Sequence, residues 1–330
     1  MLEHGGQLRA AAAHYQIPLA DWLDLSTGIN PQGWPVPALP PEVWQRLPEE
    51  NDGLEAAAAA YYGNADSLVV AGSQAAIQWL PALLPRAAVA CLAPLYNEHT
   101  QAWQRAGHRV RLLQNANLQR ALAASTPYVL LCNPNNPTAR HYAPDELLAA
   151  AAQLKQRGGW LIVDEAFADA TPESSLTPLV GREEASNLIV LRSLGKFFGL
   201  AGVRVGFVFA PADLRARMAD AMGPWTVSGP ARAVARLALG DLAWQANERL
   251  RLQAAGQRLA DLLAPLGEIS HCALFATVKT DAASDLHEHL AQRTILTRRF
   301  PEQPLLRVGL PADEAGWQRL AQALSEWSPK

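Results

Sequence analysis

Four lysines stand against twenty-four arginines in this 330-residue chain, and one of the four has unusual surroundings. Lys196 lies in Arg192-Ser193-Leu194-Gly195-Lys196-Phe197-Phe198-Gly199, a stretch that continues through Arg204 to Gly206. Apolar runs at 187–191 and 205–210 flank it, and both read as buried strands. Lys155 sits in a polar segment, Lys279 at a polar strand end and Lys330 at the terminus. An ammonium among Phe, Leu and Gly is costly unless it is paired or chemically used. Desolvation favours the neutral amine, the form that attacks an aldehyde. Lys196 is therefore a candidate Schiff-base lysine. The alternative is a lysine that snorkels from a strand end.

Other reactive or hydrogen-bonding residues also fall at the ends of apolar runs. Leu68–Ala71 enters a helix through Gly72-Ser73-Gln74. Such a turn offers backbone N–H groups to a small anion, or it holds a plain N-cap serine. The run 87–92 leads to Tyr96 and, three residues on, His99. Tyr128–Cys132 leads to Asn133-Pro134-Asn135-Asn136-Pro137-Thr138, a stiff loop with three amides. Trp160–Val163 ends in Asp164-Glu165. A carboxylate at the C-terminal end of a parallel strand is where α/β proteins place ligands, although Asp164 alone could be a capping residue.

Those residues need a frame. Strands and helices alternate from 67 to 210, which predicts an α/β fold with a mostly parallel sheet covered on both faces. Helices are expected at 54–62, 75–84 and 144–157. Beyond a break at Gly223–Pro230, one long helix is expected at 231–263, with a bend at Gly240. An extended run Ile269–Thr280, a helix at 284–292, a strand Leu305–Gly309 and a helix at 313–327 predict a smaller α+β unit. The expected division is an N-terminal arm at 1–30, polar and flexible at His4-Gly5-Gly6, a large domain at 31–225 and a small domain at 226–330.

Composition narrows the function classes. Apolar residues make up 49% and charged residues 18%, as in a soluble globular protein. The net charge of -3 leaves no footprint for nucleic acid or an anionic membrane. Cys91, Cys132 and Cys272 are odd in number and widely spaced, which reads as reduced core thiols of a cytoplasmic protein. The start of the chain lacks a basic region followed by an apolar one, so no signal peptide is expected. No apolar run approaches a membrane span. His287 and His289 are two apart, the wrong spacing for one helix face, so no metal site is expected there.

Taken together, Asn133–Thr138, Asp164-Glu165-Ala166-Phe167 and Arg192–Gly206 resemble the fold-type I pyridoxal-phosphate enzymes, in the histidinol-phosphate aminotransferase-like branch. Within it the chain is most similar to the threonine-phosphate decarboxylases. The resemblance runs from His4 to the last helix. It implies a large sheet domain with a smaller α+β domain, a homodimer, pyridoxal 5'-phosphate as cofactor and a phosphorylated amino acid as substrate. It also implies decarboxylation of L-threonine O-3-phosphate in cobalamin biosynthesis. The competing expectation is an aminotransferase acting on histidinol phosphate or another amino acid.

The residue roles follow from that resemblance alone. Lys196 would bind the cofactor covalently. Asp164, with His99 behind it, would face the ring nitrogen; Asn136 would donate to the phenolate oxygen; Tyr96 would stack on the ring. Gly72, Ser73 and Gln74 through their backbone, with Ser193 and Arg204, would hold the cofactor phosphate. Arg307 would take the substrate carboxylate. His4, Gly5 and Arg298 would contact the substrate phosphate, with Gly28 and Asn136 also near the substrate. Three features favour the decarboxylases over the aminotransferases: the His4-Gly5-Gly6 arm, Arg298, and Phe167 where the aminotransferases carry a tyrosine. Two positions depart from the pattern. Ala139 replaces a glycine, and Leu47-Pro48 replaces a Tyr-Pro whose tyrosine reaches the neighbouring subunit.

Overall fold

The computed structural model describes residues 4–115 and 117–328; Lys330 lies outside the described residues. In chain order the first strands are β1 (Leu23–Asp24), β2 (Ser67–Val70), β3 (Ala88–Ala93) and β4 (Arg109–Gln114). They are followed by β5 (Tyr128–Cys132), β6 (Trp160–Asp164), β7 (Leu188–Ser193) and β8 (Gly206–Phe209). The last are β9 (Glu268–Cys272), β10 (Phe275–Lys279), β11 (Ile295–Leu296), β12 (Arg298–Phe300) and β13 (Leu305–Gly309).

Two compact units emerge. One comprises the residues up to Gly33, Pro137–Ala139 and the residues from Glu248 on; the other holds Trp34–Asn136 and Arg140–Asn247. The larger unit carries a seven-stranded sheet in the order β2-β8-β7-β6-β5-β3-β4. β8 runs antiparallel to both neighbours and the other pairs are parallel. Every residue of β3, β5, β7 and β8 is buried. Unbroken apolar runs such as Leu188–Leu191 belong in strands covered on both faces. The helix Ser73–Leu83 covers part of one face with Ala76, Ile77, Leu80 and Pro81. At the open edge, β4 places Arg109 and Arg111 in solvent, and charge on an edge strand discourages further pairing.

From β3 the chain steps outward to β4, then returns to β5 on the other side of β3 and continues to β6 and β7. The order therefore reverses between β3 and β5. In open α/β sheets that reversal leaves a crevice at the C-terminal strand ends, where ligands bind. Tyr96 follows β3 and Asn136 follows β5.

In the smaller unit, β12, β13, β10 and β9 form an antiparallel sheet in that order, and β1 pairs in parallel with β11. The N-terminal segment is more structured than its composition suggests. Leu8–Tyr15 is a helix whose partly buried Leu8, Ala11, Ala12 and Tyr15 pack on Trp22, Ala291 and Leu296. Pro137–Ala139 belongs to this unit because Thr277 Oγ1, on β10, donates to the Pro137 carbonyl at 2.5 Å.

Three expectations need correction. The helix expected at 231–263 is two helices, Gly229–Gly240 and Leu242–Leu263. Asp241 leaves helical geometry between them, and its carboxylate accepts from the Trp244 amide and from Trp34 Nε1. The extended run at 269–280 is a hairpin of β9 and β10, closed by the two-residue turn Ala273-Leu274. That turn lacks the Gly or Asn that announces most tight hairpins. The division expected at 225/226 falls at 247/248, inside the second helix, because Gly229–Gly240 packs on Leu54–Tyr62 of the larger unit.

Candidate active site

In the larger unit, five strand ends carry the polar residues singled out by sequence. Gly72 adopts φ +73, a backbone that L side chains rarely adopt. A Cβ there would lie 2.7 Å from an Arg204 guanidinium nitrogen. A Cβ on Gly206 would lie 2.4 Å from the Ser73 amide nitrogen. The helix beginning at Ser73 has no side-chain cap. Two glycines thus let the backbone at this helix N-terminus lie against β8 and the Arg204 guanidinium, a set of donors suited to an oxyanion. Ser193, at the end of β7, is buried, and its hydroxyl accepts from the Gly195 amide at 3.3 Å.

Asp164 ends β6 and is buried. Its Oδ2 lies 2.7 Å from His99 Nε2, and its Oδ1 accepts from the Ala166 amide at 3.0 Å. His99 reaches it from the helix Asn97–Arg105, which follows β3. Cys132 lies beside them, with His99, Cys132 and Asp164 donor atoms all within 4.8 Å of one another. Burial first, and Asp164 next, hold the Cys132 thiol well above its usual range. The backbones of Tyr96 and Asn136 both hydrogen-bond to Cys132, so this residue joins the two loops at the order reversal.

The three amides after β5 have different tasks. Asn133 clamps Tyr142, accepting from its amide at 2.9 Å and donating to its carbonyl at 3.1 Å. Asn135 donates to the Pro94 carbonyl at 2.8 Å. Asn136 is half-buried, whereas the other two are buried. Tyr96 is half-buried and meets the His99 ring edge-on, with centroids 6.2 Å apart. Its hydroxyl donates to Gln74 Oε1 at 3.3 Å, and Gln74 in turn donates to Glu98 at 2.8 Å. Burial first, and Glu98 second, push the Tyr96 phenol up to about 12. Gln74 was expected to act through its backbone; its side chain has this second engagement.

Lys196 is half-buried. Its Nζ lies 5.5 Å from the centroid of the Phe167 ring, so an apolar face stands where a tyrosine would have brought a hydroxyl. Phe197 and Phe198 are wholly buried against Trp244.

One cluster escaped sequence reasoning. Arg192 is 2% exposed and donates to Glu165 and Asp169, both at 2.7 Å. Its guanidinium also lies over the Tyr62 ring at 4.8 Å. Desolvation works to lower its pKa, but Asp169 and Glu165 outweigh that and push it up. Glu165 accepts further bonds from Ser175, Leu176 and Thr177. A charge directly after the apolar run Leu188–Leu191, still within β7, was the available signal.

In the smaller unit, the register sets Arg298 of β12 directly opposite Arg307 of β13, and Arg307 opposite Thr277 of β10. Residues paired in this way point to one face of the sheet. Arg307 is 6% exposed and donates to the Ser26 carbonyl at 2.7 Å. Burial first, and Arg298 second, pull its pKa down to about 10. His4, Gly5, Ser26, His287, Thr297 and Arg298 contribute to the wall of a cavity of about 560 Å³. Arg307 and Gly28 are not in that wall; Gly28 is buried in the loop after Ser26. Ala139, where a glycine was expected, takes φ +52 and so carries the strain that a glycine would avoid.

The Aminotransferase class I and II family matches residues 20–324. The threonine-phosphate decarboxylase of Pseudomonas aeruginosa is 53% identical over 326 residues, which covers 98% of this chain and 97% of that protein. A threonine-phosphate decarboxylase from Sinorhizobium sp. is 45% identical over 329 residues, with 98% and 97% covered. Histidinol-phosphate aminotransferase from Sinorhizobium meliloti, solved in complex with pyridoxal-5'-phosphate, matches with a TM-score of 0.84 over 98% of this chain and 95% of that one. At 22% identity that likeness concerns the fold. The strand order, the residues at the strand ends and the near full-length matches agree: the chain belongs to the aminotransferase class I and II family.

Proposed function

We propose that this chain is a pyridoxal-phosphate-dependent decarboxylase that removes CO2 from L-threonine O-3-phosphate and leaves (R)-1-amino-2-propanol O-2-phosphate, a step in cobalamin biosynthesis. The observation that carries the substrate class is the pair Arg298 and Arg307. Like charges directly opposite on neighbouring strands are destabilising. A substrate bearing both a phosphate and a carboxylate offsets that repulsion. Two near full-length relatives named threonine-phosphate decarboxylase support the same reading.

The residues present fit pyridoxal phosphate. The donors that Gly72 and Gly206 let come together, a helix N-terminus beside the Arg204 guanidinium, suit its phosphate, and a buried carboxylate backed by histidine suits its ring nitrogen. When bound, the cofactor supplies a sink for the electron pair left as the Cα–carboxylate bond breaks. Lys196 provides the amine that anchors it. Asp164, steadied by His99 Nε2, holds a proton on the ring nitrogen through charge pairing. Asn136 would donate to the phenolate oxygen, and Tyr96 would cover the ring. Backbone of Gly72, Ser73 and Gln74, with Ser193 and Arg204, holds the phosphate.

On the substrate, Arg307 grips the carboxylate and His4 and Arg298 take the phosphate. Gly5 and Gly28 let the backbone approach. The phosphate takes no part in bond breaking, so its binding energy can be used to orient the substrate for loss of its carboxylate. We further propose a cytoplasmic homodimer. Trp44 and Leu47, 67% and 63% exposed in the larger unit, are large apolar side chains suited to a second copy. Among the described residues, no helix is long and apolar enough to cross a membrane.

The deciding experiment incubates the purified protein, loaded with pyridoxal phosphate, with threonine phosphate. CO2 release without a 2-oxoacid is expected. Amine transfer that depends on a 2-oxoacid, without CO2, would overturn the reading in favour of an aminotransferase.

A further inference from the structure

The segment before the helix Leu8–Tyr15 and the arginine on β13 meet at one buried side chain, Ser26, which is 2% exposed. Its hydroxyl accepts from the Gly6 amide at 2.8 Å and donates to Asp24 Oδ1 at 2.6 Å. The same carboxylate oxygen accepts from the Ser26 amide at 2.9 Å, which fixes the hydroxyl's direction. On its other side, the Ser26 carbonyl accepts from Arg307 at 2.7 Å. A Cβ on Gly5 would lie 2.2 Å from that carbonyl oxygen and 3.5 Å from an Arg307 nitrogen, so the chain crosses Ser26 in contact and only glycine fits. Gly6 follows with φ +78, a conformation that L side chains rarely adopt.

We infer that Ser26 is a positioning residue that sets the phosphate-binding arm in register with the carboxylate-binding Arg307. This rests on the reading of His4 and Arg298 as phosphate anchors and Arg307 as the carboxylate anchor. Ser26 touches neither anion. Its side chain holds the arm that bears His4, and its main chain holds Arg307. The spacing between the two anion sites is thereby fixed by one residue. A substrate with both groups is measured against that spacing, and one lacking the phosphate is not. A terminal segment without such a tie would have to be ordered by each substrate molecule, which lowers affinity by the entropy of ordering it.

The test uses Ser26→Ala, which removes the hydroxyl and keeps the carbonyl, and Gly6→Ala, which strains the arm where its amide meets Ser26 and leaves Ser26 itself unchanged. The second variant changes a terminal segment, so it guards against failure of the first to fold. In each, amide exchange across residues 4–15 of the holoenzyme should accelerate several-fold. The kcat/KM for threonine phosphate should fall about tenfold or more, with that for threonine and the cofactor absorbance unchanged. Ser26→Ala combined with His4→Ala should be no worse than His4→Ala alone, because His4 contributes only when the arm is held. Unchanged arm exchange in a folded Ser26→Ala protein, equal losses on both substrates, or fully additive losses in the double variant would overturn the inference. Wild-type protein that fails to decarboxylate threonine phosphate would overturn the substrate reading instead, and arm exchange would still decide whether Ser26 is the tie.

Discussion

Arg192 and Arg307 are both buried arginines on strands, and the protein treats them in opposite ways. In the larger unit, Arg192 has two carboxylates at 2.7 Å and a raised pKa. In the smaller unit, Arg307 faces another arginine and has a pKa pulled down to about 10. A buried charge that serves the fold is neutralised within the fold. On the proposed reading, Arg307 binds an anionic group of the substrate, which offsets the repulsion from Arg298 opposite it. The contrast separates structural from functional arginines without any appeal to the shape of a pocket.

The largest effect should come from the larger unit's covalent anchor. Lys196→Ala is expected to abolish turnover, and borohydride reduction of the wild-type holoenzyme should fix the cofactor on Lys196, read by peptide mass. Fixation at Lys155 or Lys279 would remove Lys196 from the site. Asp164→Asn comes next. It keeps the shape of the His99 contact and loses the charge, so turnover should drop by orders of magnitude with the melting temperature little changed. Near-normal activity would end the assignment.

Arg192→Ala tests the structural side of the contrast. It leaves Glu165 and Asp169 buried without their counter-charge, a loss of about 3–5 kcal/mol that urea unfolding should register. Arg298→Ala tests the other side. It should cost on the order of tenfold in kcat/KM for threonine phosphate, yet leave thermal stability unchanged or higher, because Arg307 loses a repulsive neighbour. A stability loss like that of Arg192→Ala would break the comparison. The smallest effect is Tyr15→Phe. The Tyr15 hydroxyl donates to Glu288 at 2.7 Å and holds its pKa below the usual 4.5. That contribution is present above pH 4.5 and is lost as pH falls through the lowered value, so the variant should differ from wild type near neutrality and converge with it in acid. On an exposed pair the difference should be within about 1 kcal/mol.

Sequence reading was strongest where one strand end carries one chemical group. Asp164 and the strand Tyr128–Cys132 were legible because buried strands are unbroken apolar runs. His99 behind Asp164 was reachable only through resemblance, since the contact joins residues 65 apart in sequence. Arg192 was passed over because its partners, Glu165 and Asp169, are assembled by sheet pairing. Ser26 was missed for a similar reason: its meeting with Gly6 and Arg307 exists only after folding. The Ala273-Leu274 turn eluded prediction because it lacks the Gly or Asn that announces most tight hairpins, whereas the break at Asp241 carries a local cap, its carboxylate accepting from the Trp244 amide.

The pairing of β6 with β7 sets Asp164 beside Leu191, while the next residues, Glu165 and Arg192, bond to each other. Successive residues of a strand point to opposite sides, so Asp164 and Ser193 share one side while Glu165 and Arg192 share the other. The polypeptide is thus a two-sided ledge, with reactive groups on one surface and scaffolding on its reverse. Substitutions on the reactive surface can alter what the protein does while the reverse keeps it folded, which gives this ledge room to evolve. Inserting or deleting a single residue has no such latitude. It would exchange the two surfaces and bring the scaffold's charges to the place where the reaction occurs.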